Sequence, residues 1–220
     1  VILHSPFFIL NSKFFIGIQG RSVHLNVDVP RSRVRGEVGL GATHPLLPLE
    51  VILAEAAQRG WRITNIWLTH AHFDHFCGVN EIYDASGNIP MISLHPEDLE
   101  LWRRGGDAHE FDFAFDHGPE PANLIEDGQI IWLGETRIEV IHTPGHCMSH
   151  VVFYSPEDQV IFCGDLIFKN GIGRTDLEGG SMPQILHSIN HKILVLPEKT
   201  RILPGHGPAT NIRETRLMGF

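Results

Sequence analysis

The chain has 220 residues, 42% of them hydrophobic and 20% charged, with a formal net charge of −9. This composition predicts an ordinary globular protein with a sizeable core, which we expect to form a single domain over residues 1–220. The acidic balance argues against nucleic acid or an anionic membrane as a partner, because both need clustered Lys and Arg.

The three cysteines, Cys77, Cys147 and Cys163, lack the spacing of a disulfide framework. Reduced thiols favour a cytoplasmic location. No apolar run predicts a membrane span, and no basic residues precede the apolar N-terminal residues as they would in a signal peptide.

Residues 1–48 carry the weakest signals of the chain. Apolar residues predict strands at 14–16 and 23–25, and a basic cluster at 31–35 falls where we expect a hairpin. Beyond them, residues 49–59 have apolar side chains at helical spacing and predict a helix.

The densest polar cluster follows an apolar run at residues 66–68, which predicts a buried strand. His70, His72, Asp74 and His75 lie within six consecutive positions, and imidazole nitrogens and carboxylates are ligands of borderline ions such as zinc. A turn leaving a strand points neighbouring side chains in different directions. His70 and His72 can therefore share one ion, while Asp74 and His75 turn towards a second.

Three later apolar runs also end in a turn that carries one candidate ligand. His146 follows residues 138–141, Asp165 follows residues 160–163, and His206 follows residues 201–203. This pattern is typical of a site built at one edge of a sheet.

The remaining stretches predict an α/β sandwich with two sheets inside and helices outside. We expect helices at 78–83, 97–103 and 183–194, a strand at 90–94, an irregular loop at 105–121, and hairpins at 129–141 and 151–162. His95 follows a strand without a partner motif, so we expect a surface or capping residue rather than a ligand.

The motif His-x-His-x-Asp-His, followed by Gly-His, Gly-Asp and Gly-His, resembles the metallo-β-lactamase fold superfamily. The stretch from Gly164 to Phe168, the Gly-Ile-Gly-Arg-Thr-Asp stretch from Gly171 to Asp176, and Pro204 to Pro208 are similar to its glyoxalase II-like hydrolases. The resemblance implies a four-layer αββα sandwich of two mixed sheets. Residues 1–48 are atypical, because the family's Asp-Pro-Gly turn, expected near residues 43–45, is missing.

The resemblance also implies a role for each candidate ligand. His70, His72 and His146 would hold the first of two divalent ions, Asp74, His75 and His206 the second, and Asp165 would bridge them. Zinc is favoured, with iron or manganese as alternatives. Asp74 is the candidate catalytic residue, since it can orient a hydroxide held by the ions.

For function, the resemblance implies hydrolysis of a thioester of a small thiol, such as an S-acylglutathione. Lys169 and Arg174 are candidates to bind a substrate carboxylate, and each can equally be a solvated cation. The alternative is a mononuclear iron oxygenase similar to the persulfide dioxygenases, which also carry the Gly-x-Gly-Arg-Thr-Asp stretch. That enzyme would use a set such as His70, His146 and Asp165. A third hypothesis, a metal-binding fold without activity, ranks last because all seven ligands are present.

Overall fold

The computed structural model describes the strand backbone at residues 7–11, 14–19 and 22–27, helical residues 53–54 and 56–58, and the ranges 62–133 and 136–220. The predicted hairpin at 31–35 and the turn expected near 43–45 lie outside these residues. So does most of the helix predicted at 49–59, of which the described residues 53–54 and 56–58 are helical.

The first sheet has six strands in sequence order, and it is mixed. The first three strands run antiparallel, and the third, fourth, fifth and sixth pair in parallel. Its strands are β1 Phe7–Asn11, β2 Phe14–Gln19, β3 Ser22–Val27, β4 Arg62–Trp67, β5 Met91–Leu94 and β6 Asn123–Leu124. The strands predicted at 14–16 and 23–25 are therefore confirmed as parts of β2 and β3.

The second sheet also has six strands, and one parallel pair makes it mixed. Its strands are β7 Ile130–Leu133, β8 Thr136–His142, β9 Val151–Ser155, β10 Val160–Gly164, β13 Arg201–Pro204 and β14 Thr210–Asn211. They lie in the order β14-β13-β10-β9-β8-β7, with β10 and β13 parallel and the other neighbours antiparallel. A separate hairpin is formed by β11 Ile167–Phe168 and β12 Gly171–Ile172.

Short helices flank the two sheets. They are α1 Phe73–Phe76, α2 Val79–Ala85, α3 Leu99–Arg103, α4 Met182–Ser188 and α5 Ile212–Arg216, with 3-10 turns at Pro96–Asp98 and Ala108–Phe111. The helix predicted at 183–194 begins one residue earlier, where the Ser181 hydroxyl accepts the backbone N–H of Gln184. Its last part, Ile189–Ile193, has π-helical hydrogen bonding.

Side-chain alternation along β9 shows how the layers are built. Val151 and Phe153 pack between the sheets, where Phe153 lies 6.0 Å from the ring of Trp67 in β4. Val152 and Tyr154 pack in the cluster on the other face of the second sheet, which includes the apolar side of α4. Because successive side chains of a strand point to opposite faces, one strand supplies two cores. The predicted four-layer sandwich is confirmed.

Within the ranges that the structure describes, no helix combines the length and the apolar character needed to cross a bilayer. The single domain over residues 1–220 stays a prediction.

Gly171, in β12, and Gly173, directly after that strand, differ in the space around them. A methyl group at Gly173 would overlap the backbone carbonyl oxygen of Asp165, whereas one at Gly171 would meet no atom within 4 Å. We expect Gly173→Ala to lower the free energy of unfolding by about 1–3 kcal/mol and Gly171→Ala to change it by less than about 0.5 kcal/mol. Denaturant titration of both variants checks this, and equal losses would contradict the predicted clash.

Candidate metal centre

Three buried histidines from the two sheets meet at one edge of the sandwich. His70 and His72 follow β4, and His146 lies in the turn between β8 and β9. The Nδ1 atom of His72 lies 2.8 Å from Nε2 of His146, and the ring of His70 is 4.9 Å from that of His72 and 4.8 Å from that of His146. One nitrogen of each ring therefore faces a common space.

The hydrogen bonds of these rings indicate which nitrogens are available. Nδ1 of His146 lies 2.8 Å from the carbonyl oxygen of Arg174, and a carbonyl only accepts, so Nδ1 carries the proton and Nε2 keeps its lone pair. Nε2 of His70 is buried and has no hydrogen-bond partner among the described residues. Such a nitrogen costs free energy when left unpaired, and a bound cation would satisfy it.

A second, more open group lies beside the first. His72 is the extended residue before α1, and Asp74 and His75 lie in the first turn of that helix. The ring of His75 lies 4.0 Å from that of His70, so the two groups adjoin each other. The Asp74 carboxylate lies 3.0 Å from Nε2 of His206 and 3.7 Å from Nε2 of His75. The side chains of Asp74 and His206 are 33% and 42% exposed, so solvent reaches the centre from this side.

Asp165 lies between the two groups. One carboxylate oxygen is 3.4 Å from Nε2 of His75, and the other is 3.4 Å from Nε2 of His206 and 4.0 Å from Nε2 of His146. Gly164, at the end of β10, makes this placement possible. Its φ is +47°, and a Cβ there would lie 2.6 Å from the Thr69 hydroxyl oxygen.

The electrostatics of the centre favour unprotonated ligands. Burial lowers the pKa of His70 well below its ordinary value, and the neighbouring histidines lower it further. Burial likewise lowers the pKa of His72 to about 3. Burial raises the pKa of the Asp165 carboxyl, but His75 and His206 outweigh it and hold that pKa below its usual range. Neutral imidazoles and ionised carboxylates are the protonation states that bind metal ions.

His150 stabilises the position of Asp165, and the sequence did not predict a role for it. Its Nε2 accepts the backbone N–H of Asp165 at 3.2 Å, so Nδ1 carries the proton and donates to the hydroxyl of Thr143 at 2.8 Å. The ring is fully buried, and burial lowers its pKa. Its position four residues after His146 was the available signal, but a single histidine after a turn has no distinctive pattern.

The two residues predicted to bind a substrate carboxylate, Lys169 and Arg174, lie in different surroundings. Arg174 uses its carbonyl to orient His146, while its guanidinium donates to both carboxylate oxygens of Asp176 at 2.7 and 2.8 Å. Lys169 is exposed, and it follows Phe168, whose ring lies 6.2 Å from that of His206. Lys169 is thus a sequence neighbour of a residue on the open side of the centre.

A third group of metal-type side chains contains His95, Glu97 and His142. The two imidazoles stack with their planes only 10° apart and their centroids 4.9 Å apart. Ring lone pairs lie in the ring plane, so nearly parallel rings cannot direct them at one point. His95 instead accepts the backbone N–H of Glu97 at 3.3 Å, so the predicted capping role is confirmed. Its side chain is buried, so the alternative of a surface residue is wrong.

The seven residues singled out in the sequence thus surround one space, and their donor set suits divalent ions. The buried Nε2 of His70, which has no hydrogen-bond partner among the described residues, fits a bound cation better than a metal-free core.

Comparison with known proteins agrees with this geometry. A family model described as the metallo-beta-lactamase superfamily matches residues 38–206, more than half of the chain. The chain belongs to the metallo-β-lactamase superfamily. This superfamily contains metal-dependent hydrolases, and its fold binds divalent metals.

Curated relatives of this superfamily member include a hydroxyacylglutathione hydrolase of Maricaulis maris, 37% identical over 71% of this chain and 53% of the relative. The chain therefore spans about half the length of that protein. A probable metallo-hydrolase, YqgX of Bacillus subtilis, is 35% identical over 70% of this chain and 74% of its own.

Solved structures of the superfamily superimpose well. The B3 metallo-beta-lactamase BLEG-1 has a TM-score of 0.77 at 27% identity and covers 94% of both chains. TTHA1623 in a di-iron-bound form has a TM-score of 0.68 at 37% identity, over 76% of this chain and 81% of its own. ETHE1 from Myxococcus xanthus, at 19% identity over 98% of this chain and 82% of its own, has a TM-score of 0.68 and shows the fold alone.

The buried histidines predict how the stability of the metal-free protein depends on pH. The unfolded chain protonates His70, His72 and His150 near their ordinary pKa of 6.5, whereas the folded state keeps them neutral. The unfolded state therefore binds more protons in acid, and stability falls as pH drops below 6.5. Asp98 has the opposite effect, because burial raises its pKa to about 7. Between its ordinary pKa and 7, the folded state binds one proton more at Asp98 than the unfolded state does.

We expect the thermal midpoint of chelator-treated protein to fall by roughly 5 °C or more between pH 7.5 and pH 5.5. Exposed His187 offers a control, because His187→Ala leaves the buried histidines intact. The thermal midpoint of this variant should depend on pH in the same way as that of the wild type. A midpoint that is constant or rises on acidification would show that the centre is not held neutral.

Proposed function

We propose that the protein is a dinuclear metal-dependent hydrolase that cleaves a thioester of a small thiol, such as an S-acylglutathione. The main support is the convergence of five imidazoles and two carboxylates on one space. Buried histidines line one side of this space, and on the other side the His206 side chain is partly exposed to solvent. The relatives named hydroxyacylglutathione hydrolase support the choice of substrate class.

The proposed ligand assignment follows the two groups. His70, His72 and His146 hold the first ion, and Asp74, His75 and His206 hold the second, with Asp165 shared. A carboxylate in the shared position suits zinc, and it also suits iron or manganese. Zinc is our first expectation, and the di-iron form of TTHA1623 makes iron the alternative to test.

Divalent ions in this position would supply Lewis acidity for a carbonyl and would lower the pKa of coordinated water towards neutrality. The protein's own part is positioning and proton handling. His70, His72 and His146 form the buried wall. Asp74 lies on the open side and is held ionised, because His75 and the hydrogen bond from His206 outweigh the effect of burial on its pKa. Its carboxylate can therefore accept a hydrogen bond from an attacking water and orient it.

The substrate would approach past His206, where Phe168 supplies an apolar face and Lys169 a cation. Lys169 is the better candidate to bind a substrate carboxylate, because the Arg174 guanidinium is already paired with Asp176. A thiolate leaving group needs little acid assistance, which suits a site without an evident general acid.

A small molecule as substrate and a cytoplasmic location belong to the same proposal. Cys77, Cys147 and Cys163 are buried and carry reduced thiols. This cysteine usage is the one expected in a reducing compartment.

Comparing two carboxylate variants tests the ligand assignment. Asp165→Ala should lose more metal than Asp74→Ala, because Asp165 approaches residues of both groups and Asp74 only those of the second. Elemental analysis after dialysis at fixed metal concentration measures this. Retention of two ions by the Asp165 variant would defeat the bridging role.

Activity tests the chemistry. The zinc, iron and manganese forms should hydrolyse S-acyl thioesters of small thiols, and His72→Ala should lower kcat/KM by more than about 100-fold, since even outer partners of ligands can cost 10–100-fold. His187→Ala is the matched control on an exposed histidine of α4 and should keep full activity. A silent thioester panel, with oxygen uptake by the iron form and glutathione persulfide, would replace hydrolysis by the oxygenase alternative.

A further inference from the structure

Asp98 is a buried carboxylate that lies outside the seven proposed ligands and joins the two segments that carry the first three. It precedes α3 and is 1% exposed. One carboxylate oxygen accepts the backbone N–H of Ala71 at 3.0 Å. The other accepts a short hydrogen bond from the hydroxyl of Ser149.

These two contacts come from opposite sides of the centre. Ala71 lies between His70 and His72, in the segment that follows a strand of the first sheet. Ser149 lies three residues after His146, in the turn that joins two strands of the second sheet. Asp98 therefore links the segment that carries His70 and His72 to the segment that carries His146.

Burying the Asp98 carboxylate between these two segments costs free energy. Its two partners are a backbone N–H and a hydroxyl, and neither is a cation. Burial raises the pKa of Asp98 to about 7. A buried carboxyl without a charge partner stabilises a fold poorly, whereas one that accepts two hydrogen bonds fixes the donors precisely.

We propose that Asp98 and Ser149 are positioning residues that set the distance between the His70–His72 segment and the His146 segment, and thereby preorganise the first metal position. The inference rests on the metal ligands of the proposed function, and it does not depend on the substrate. Outer-shell hydrogen bonds of this kind orient ligands and tune metal affinity.

The experiment measures zinc affinity of the purified full chain by competition with a chromophoric chelator, below the unfolding transition of every variant. Ser149→Ala removes one hydrogen bond and should lower affinity at the tighter site by about 10–100-fold. Asp98→Ala removes both and should lower it at least as much. Asp98→Asn should stay within about threefold of the wild type, because its amide can accept from Ala71 and donate to Ser149.

Ser155→Ala is the matched control. Its hydroxyl donates to the Asp158 carboxylate at 2.9 Å at the end of β9, so the variant breaks a similar Ser–Asp bond outside the centre. It should keep wild-type zinc affinity. The cobalt-substituted protein gives a second readout, since the visible d–d bands should change in Ser149→Ala and stay unchanged in Ser155→Ala.

A purely structural role would lower the thermal midpoint without changing affinity in the folded protein. That role predicts wild-type zinc affinity and wild-type cobalt spectra in both Ser149→Ala and Asp98→Asn. This result would overturn the inference if Asp98→Ala also binds zinc normally or does not fold. Loss of affinity in Ser149→Ala with rescue in Asp98→Asn supports it. A wild-type protein that binds no zinc, iron or manganese would instead overturn the ligand assignment on which the inference rests.

Discussion

The structure depends on keeping neutral imidazoles and ionised carboxylates together in a space that is largely closed to water. Such groups destabilise a fold when they lack partners, since a buried polar atom without a hydrogen bond loses its hydration without compensation. Nε2 of His70 is in this position. A divalent ion would turn this destabilising arrangement into a stabilising one, because binding energy available only to the folded state adds to its stability.

The two-sheet architecture explains how distant segments reach this space. The first sheet delivers His70 and His72 after β4, and the second delivers His146, Asp165 and His206 after three of its strands. Backbone hydrogen bonds hold these turns in register. The N–H of Val151 donates to the carbonyl of Thr69 across the sheets at 2.9 Å, and that of Gly205 donates to Gly164 at 2.8 Å. Asp98 and Ser149 extend this main-chain connection with side chains.

Much of this arrangement could be predicted from the sequence, because its signals are local. Apolar runs that end in Gly-His or Gly-Asp predicted β8, β10 and β13 and the residues that follow them, and the capping role of His95 followed from its isolation. Family resemblance supplied the order of the layers.

The supporting groups could not be predicted, for physical reasons. The carbonyl of Arg174 orients His146, and a main-chain atom leaves no mark on residue identity. Asp98, Ser149 and His150 act through contacts with segments far away in the chain, so no spacing distinguishes them from surface residues. The Arg174 guanidinium, attractive as a substrate anchor in the sequence, is paired with Asp176 in the fold.

The most direct measurement of the central claim is anomalous diffraction from crystals of the protein grown with zinc or iron, recorded on both sides of the metal's absorption edge. The proposed two-metal centre predicts two anomalous peaks per chain. One should be enclosed by His70, His72 and His146, the other by Asp74, His75 and His206, and both should contact Asp165. A single peak within this group, or peaks only at other places such as His95 and His142, would contradict it.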